Sequence, residues 1–279
     1  MQELREIIYS QDLELKKTWY SPVADAYNKV RPRYPQDIIN RTIEITQLSA
    51  KSKILELGCG PGNATVSFAE LGCSMICLEP SLTACELAKK NCISYPHVDI
   101  QQTTFEEWQL TSEKFDAVLA ATSFHWINTA VAYTKTAEVL KDDGYLILLW
   151  NMTPQADYEV YQQLHQVYQI HAPAAARYED MTTQVKIVKS FGQNAINSGK
   201  FQDLISEHLI CEITYDVDDY LLLLGTLSPY LKLDLSMRNA LFSGLKEQIN
   251  QFCGGKINVS YISAVQIMKK VKGNREQKK

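Results

Sequence analysis

Between residues 53 and 150 the sequence alternates short apolar runs with helix-patterned segments, and the first run, "KILEL", breaks directly into "GCGPGNAT". That alternation limits the possible folds more than any other feature of the chain. "SMICLE", "HVDIQQ", "FDAVLAA" and "YLILLW" read as further strands, nearly continuously apolar, as strands covered by helices on both faces must be. Between them, "NATVSFAEL" reads as a helix closed by Gly72, "LTACELAKKN" as one capped by Ser81, and "TAVAYTKTAEVL" as one ended by "KDDG". Strand, helix, strand order with short links requires parallel pairing and right-handed crossovers. The expected fold class is therefore α/β, a doubly wound and mostly parallel sheet.

The flanks divide the chain into four expected parts. Residues 1–50 form an N-terminal helical cap, in which Ser21 and Pro22 open a helix over "SPVADAYNKV", "RPRYP" is extended, and Pro35 opens another helix. Residues 51–151 are the α/β core. Residues 152–205 are an insertion that acts as a helical lid: "ADYEVYQQLHQVYQIH" is helical in period, and the stretch on to Lys200 is weakly patterned. Residues 206–279 complete the sheet, with "LICEITY" as a strand, two helices in 217–252, a Gly-Gly turn and the long strand "GGKINVSYISAVQIM". A basic tail follows.

Composition excludes several classes of partner. No apolar run has the length of a membrane span, and the first residues alternate charges with isolated apolar side chains, so a cytoplasmic protein without a membrane partner is expected. The seven cysteines form no C-x-x-C pair and read as reduced packing thiols, with no metal site implied. The net charge is −4, and residues 268–279 carry six Lys or Arg against one Glu, leaving about −9 for the rest. So acidic a body argues against nucleic acid. A monomer or homodimer is expected.

In an open α/β sheet, ligands lie at the carboxyl ends of the strands where strand order reverses, normally just after the first strand. Gly58, Gly60 and Gly62 stand there. A dinucleotide site requires a glycine at the position of Asn63, and a phosphate loop requires a Gly-Lys pair; neither is present. Glu56, closing the first strand, can face an ammonium directly or through water. Glu79, closing the second, can accept both hydroxyls of a ribose. Two acids without a basic clamp suit a cationic nucleoside lacking phosphate, of which S-adenosylmethionine is one.

"ILELGCGPGNAT", "CLEPS", "TTFEEW" and "FDAVLAATSFHWI" resemble the ligand motifs of class I S-adenosylmethionine-dependent methyltransferases, whose sheet is Rossmann-like and seven-stranded. "YNKVRPRYP", "LLWN" and "DDYLLLLGTLSPY" resemble a subgroup related to trans-aconitate methyltransferase and other small-molecule methyltransferases. The resemblance implies that Gly58, Gly60 and Gly62 pass beneath the methionine part of the cofactor and that Glu79 holds the ribose. It further implies that Thr104, Phe105 and Glu106 flank the adenine, that Ala121 and Thr122 line the methionine arm, and that Arg31 or Tyr27 reaches the carboxylate. The plainer alternatives are a core role for Phe105 and Trp108, and an ion pair pinning the N-terminal segment for Arg31.

Methyl transfer from a sulfonium is an in-line displacement that mainly requires positioning and exclusion of water. A carboxylate acceptor needs no base, whereas a hydroxyl or amine does. In "SFHWIN", after the fourth strand, His125 is the candidate base or substrate hydrogen-bonding group, and Trp126 offers an apolar wall. Trp150 and Asn151 extend that rim, and Ser228 and Tyr230 in "TLSPY" are further candidate acceptor contacts. The rival readings are packing at the sheet edge for His125 and Trp126, a sensor that binds the cofactor without transfer, and a nicotinamide-dependent oxidoreductase.

Overall fold

The computed structural model describes residues 13–110 and 112–272. The five strands read from the alternation are β1 (Lys53–Leu57), β2 (Ser74–Glu79), β3 (Val98–Gln102), β4 (Phe115–Ala121) and β5 (Leu140–Asn151). Their pairings are all parallel. A two-residue strand β6 (Gln155–Ala156), β7 (Phe201–Asp216) and β8 (Lys256–Lys270) make the sheet eight-stranded, ordered β3-β2-β1-β4-β5-β8-β6 with β7 paired to β8. β8 runs antiparallel to β5, β6 and β7.

The helices of the first half are α1 (Leu13–Trp19), α2 (Ala24–Val30), α3 (Gln36–Thr46), α4 (Thr65–Ala69), α5 (Leu82–Asn91) and α6 (Thr129–Val139). α7 (Tyr158–His171), α8 (Met181–Asn197), α9 (Val217–Gly225), α10 (Ser228–Leu231) and α11 (Leu235–Cys253) follow. Two apolar clusters lie along the sheet, one containing Leu146, Leu148 and Val188 of α8, the other containing Ile39 of α3, Phe68 of α4 and Cys85 of α5. A third gathers α7, α9 and α11 against the start of β8.

The structure corrects several local expectations. "KDDG" does not end α6 as a turn; the extended chain begins at Leu140, opposite Phe115, and the register slips before Ala117 meets Tyr145. α4 starts at Thr65 because the glycine turn runs through Gly62 (φ 89°) before helical geometry is reached. Ser81 caps α5 as expected, accepting from the Ala84 N–H at 3.3 Å. Ser21 caps nothing: it opens a 3-10 turn, with its Oγ 2.9 Å from Ser81 Oγ. Pro35 precedes α3 by one residue. The weakly patterned stretch before Lys200 holds α8, a helix of 17 residues. Three helices, not two, fill 217–253, and the end of the basic tail, residues 273–279, lies outside the described residues.

Candidate active site

β1 is flanked by β2 on one side and β4 on the other, so strand order reverses at its carboxyl end. The chain leaves β1 through Gly58 (φ 66°), whose N–H donates to Leu78 O at 2.8 Å, and then Gly60 (φ 55°), whose N–H donates to Glu79 Oε2 at 2.9 Å. Side chains are strained at such φ values. A Cβ on Gly58 would also lie 2.8 Å from Ser123 Cβ, while one on Gly60 would meet nothing within 4 Å. Gly62 differs from both. Its Cβ position faces Ala88 Cα (3.7 Å) of α5 and Sγ of Cys92 (3.5 Å) at that helix's end, and it lines neither of the two cavities at this end of the sheet. Gly62 thus serves the packing of turn against helix, and its expected place beneath a methionine moiety is corrected.

The two acids also separate. Glu79 is 8% exposed and faces a cavity of about 360 Å³; its Oε2 accepts from Gly60 N–H and its Oε1 from Ser81 N–H, both at 2.9 Å. Burial pushes its pKa up to about 6, with the two backbone donors opposing the rise. Each oxygen keeps a lone pair for a further donor. Glu56 is fully buried, accepts from Thr65 Oγ1 at 2.7 Å, and lies 3.6 Å from Cys77 Sγ. Burial pushes it up to about 7, against the bond from Thr65. It lines neither cavity, so direct contact with a ligand's ammonium is corrected to a place behind the glycine turn. Its Oε1 and the Oδ1 of Asn63, which does line the smaller cavity, are buried acceptors without a donor among the described residues.

That smaller cavity, about 40 Å³, adjoins the larger, and both are walled by Tyr27, Arg31, Gly58, Ala121, Thr122 and Asn151. Arg31 lies with Cζ 4.9 Å from the Tyr27 ring centroid, and it donates from Nε to Thr226 Oγ1 (2.8 Å) and from Nη2 to Thr226 O (3.0 Å). The guanidinium therefore does pin the N-terminal segment, through the end of α9 and not through an ion pair. Thr122 holds φ 54°, a rare conformation for a β-branched residue, fixed by Tyr34 Oη at 2.7 Å and by the Asn151 N–H at 3.1 Å from its Oγ1. The Asn151 side chain is committed: Nδ2 donates to Pro32 O (2.9 Å) and Oδ1 accepts from Ser263 Oγ (2.7 Å). From the wall that the two cavities share, this side chain straps "RPRYP" over the sheet.

At the far side of Glu79, Thr104, Phe105 and Glu106 wall the larger cavity. Thr104 Oγ1 donates to Glu107 at 2.9 Å, and Glu106 Oε1 accepts from the Asn128 N–H at 2.9 Å. Phe105 is both core and cavity wall, whereas Trp108 is core and donates to Gln101 Oε1 at 3.1 Å.

His125, Trp126 and Trp150 reach the opposite end of the same cavity. His125 and Trp126 sit in a 3-10 turn after β4, ring centroids 5.5 Å apart. Trp150 is buried, donates from Nε1 to Gln266 Oε1 (3.1 Å), and stacks on Phe191 at 4.1 Å and 16°. Ser228 lines the cavity and lies 3.0 Å from Tyr20 Oη. Tyr230 does not: it is buried in the outer cluster with its hydroxyl 2.6 Å from Tyr168 Oη, which overturns its expected acceptor contact. Tyr20, Ser123, Met152 and Phe191 are wall residues that sequence reasoning missed. The sequence does contain a start signal for the helix that carries Phe191: Asp180 caps α8, its carboxylate accepting from Thr183 N–H at 2.7 Å.

Residues 55–148 match the family model described as a methyltransferase domain. An uncharacterised methyltransferase of Mycobacterium tuberculosis is 30% identical over 132 residues, 47% of this chain and 51% of that one. The chain thus spans about half the length of the curated relatives it matches. A solved structure from Anaeromyxobacter dehalogenans aligns over 86% of this chain and 97% of its own, with 18% identity and a TM-score of 0.60. A phosphoethanolamine N-methyltransferase of Haemonchus contortus, solved with phosphomonomethylethanolamine and S-adenosylhomocysteine, aligns over 92% of this chain and 59% of its own, with 14% identity and a TM-score of 0.53. The chain shares the Rossmann-like fold of these two structures.

Proposed function

We propose that the protein is an S-adenosylmethionine-dependent methyltransferase acting on a small molecule through a hydroxyl or carboxylate. The observation that carries this reading is the cavity end formed by Gly58, Gly60 and Glu79, where a glycine turn and a strand-end acid meet without a phosphate clamp. Arg31 is the sole Lys or Arg among the described residues lining the cavities, and two of its nitrogens are spent on Thr226. A pyrophosphate would find there only the remaining N–H groups of that one guanidinium.

The residues fit S-adenosylmethionine in three respects. Glu79 has lone pairs for two hydroxyls, the buried Oδ1 of Asn63 on the smaller cavity suits a donor of an ammonium, and Gly60 leaves space where a side chain would stand. Thr104, Phe105 and Glu106 would flank the adenine. When bound, the cofactor supplies an electrophilic methyl group on a sulfonium, open to in-line displacement by the acceptor. The protein's part is to hold the acceptor in line and keep out water, worth about 7–11 kcal/mol in well-positioned reactions. His125 would take the proton of a hydroxyl acceptor. The likeness of "YNKVRPRYP" to the trans-aconitate methyltransferase subgroup supports a carboxylate instead.

The test is transfer of a labelled methyl group across a panel of carboxylates, phenols, alcohols and amines, with S-adenosylhomocysteine binding measured alongside. Incorporation into an acceptor, lowered about 10²-fold by His125→Ala with product affinity unchanged, supports an enzyme with a base. Cofactor binding with no incorporation anywhere supports the sensor.

A further inference from the structure

The sheet ends in an open edge at β7. Twelve consecutive residues, Ile205 to Asp216, pair in unbroken register with β8, and no strand among the described residues pairs with their other side. Every second residue there turns its N–H and C=O outward, a row of backbone groups that a further strand can bond. Natural edges are blunted by bulges, Pro or Lys. The first of these devices stands only at the start of β7, where the register shifts between Gln202 and Ile205 and Asp203 holds φ 57°. Beyond it, "ISEHLICEITYD" contains neither Pro nor Lys. Along it Ile205 and Leu209 are each 38% exposed and Ile210 is 62% exposed. An unblunted edge of this length and apolarity is a site for strand pairing.

The strand is complementary to itself. In an antiparallel ladder neighbouring pairs alternate between hydrogen-bonded and non-bonded kinds, so a two-fold axis normal to the sheet must set one residue against its own copy. Centres at Glu207 and Glu212 set carboxylate against carboxylate, which is unfavourable. Of the centres between them, only Ile210 sets a histidine opposite an acid: His208 faces Glu212 of the second copy, and symmetry repeats the pair. The same register puts Ile210 against its own copy on that face and Leu209 against Cys211 of the second copy on the other. His208, Ile210 and Glu212 are all exposed in the single chain. Glu207, on the opposite face, keeps Arg41 of α3 as its partner, 2.9 Å from Nε.

We propose that β7 is a dimer interface: two copies of the chain pair antiparallel along it, centred on Ile210, and join their sheets into one. The inference is independent of the catalytic reading, since it uses no residue of the cavities. Sedimentation velocity of the whole chain at micromolar concentrations tests it, and a dimer is the expected result. Ile210→Lys sets two ammonium groups against each other on the axis, and is expected to give a monomer with unchanged circular dichroism, because this side chain stands exposed in the single chain. His208→Glu places acid opposite acid at both symmetric positions and is expected to weaken association about tenfold, while the exchange of both side chains, His208→Glu with Glu212→His, is expected to restore it. That rescue is specific to this register, which a dimer formed through any other surface would not show. A monomer at every concentration, a dimer indifferent to Ile210→Lys, or one that His208→Glu leaves unchanged overturns the inference.

Discussion

Glu79 is the side chain on which most of the site converges. It orients Gly60 and Ser81 through their N–H groups while keeping lone pairs toward the cavity. Replacing it by Ala removes two charge-assisted hydrogen bonds to a ribose, each worth roughly 1.5–3 kcal/mol. S-adenosylhomocysteine affinity should therefore fall by about 10²-fold or more in a calorimetric titration; unchanged affinity would place the sugar elsewhere. At this scale the sequence was informative where backbone geometry dictates residue type. The place of Gly58, Gly60 and Glu79 at the cavity end was readable because a strand-end turn with positive φ and a neighbouring strand-end acid leave few alternatives. Gly62 shares the spacing but faces α5, a distinction that depends on where the helix packs. Tyr230 failed for a related reason: in the four-residue α10, Ser228 meets the cavity while Tyr230, two positions on, points to Tyr168.

α8 brings Phe191 to the His125 end of the larger cavity, and two buried glutamines hold this helix. Gln184 donates to Thr153 O (2.9 Å) and accepts from the Ile262 N–H (2.9 Å), while Gln266 donates to Val188 O (2.8 Å) and accepts from Trp150 Nε1. Gln266→Leu would leave the buried Trp150 indole N–H unpaired, costing about 1–3 kcal/mol, and would remove a second donor from the Val188 carbonyl, which keeps its helical bond. Chemical denaturation should show that loss, and acceptor KM should rise more than S-adenosylhomocysteine Kd, because Phe191 rides on the same helix. Equal effects on both ligands would mean that α8 supports the whole cavity. These glutamines also explain why α8 was invisible in sequence while β1, β2 and β4 were read to the residue. Its inward face contains Gln184 and Gly192 among Ile187, Val188, Phe191 and Ala195, so the apolar period is broken by residues that serve a close approach to β8. A parallel strand covered on both faces has no such freedom. "KDDG" was misread because turn-forming residues also build a slip in register, and only the partner strand distinguishes the two.

For the molecule as a whole, burial of two acids beside the ligand cavity links stability to pH. Glu56 rises to about 7 and Glu79 to about 6, so both are favourable to the fold when protonated. Their contribution is whole below the unfolded carboxyl value of 4.5 and is lost as pH rises through 6 and 7. Without ligand, the melting temperature should fall between pH 5 and pH 8, and Glu56→Gln should flatten that fall; the charge on Glu56 alone corresponds to roughly 3 kcal/mol. A melting temperature that rises over this range would contradict the burial of these groups. A cationic nucleoside favours the ionised acids, so its binding should release protons near pH 6.5 and tighten as pH rises. The sheet, the turn at its switch point and the walls of the cavity thus form one device, and the decisive question is which nucleoside it accepts. Calorimetry of the whole chain with S-adenosylhomocysteine and with NAD asks this directly. The account predicts saturable binding of the first, abolished or weakened at least 10²-fold by Glu79→Ala, and no heat from the second; NAD binding without a response to S-adenosylhomocysteine would contradict it.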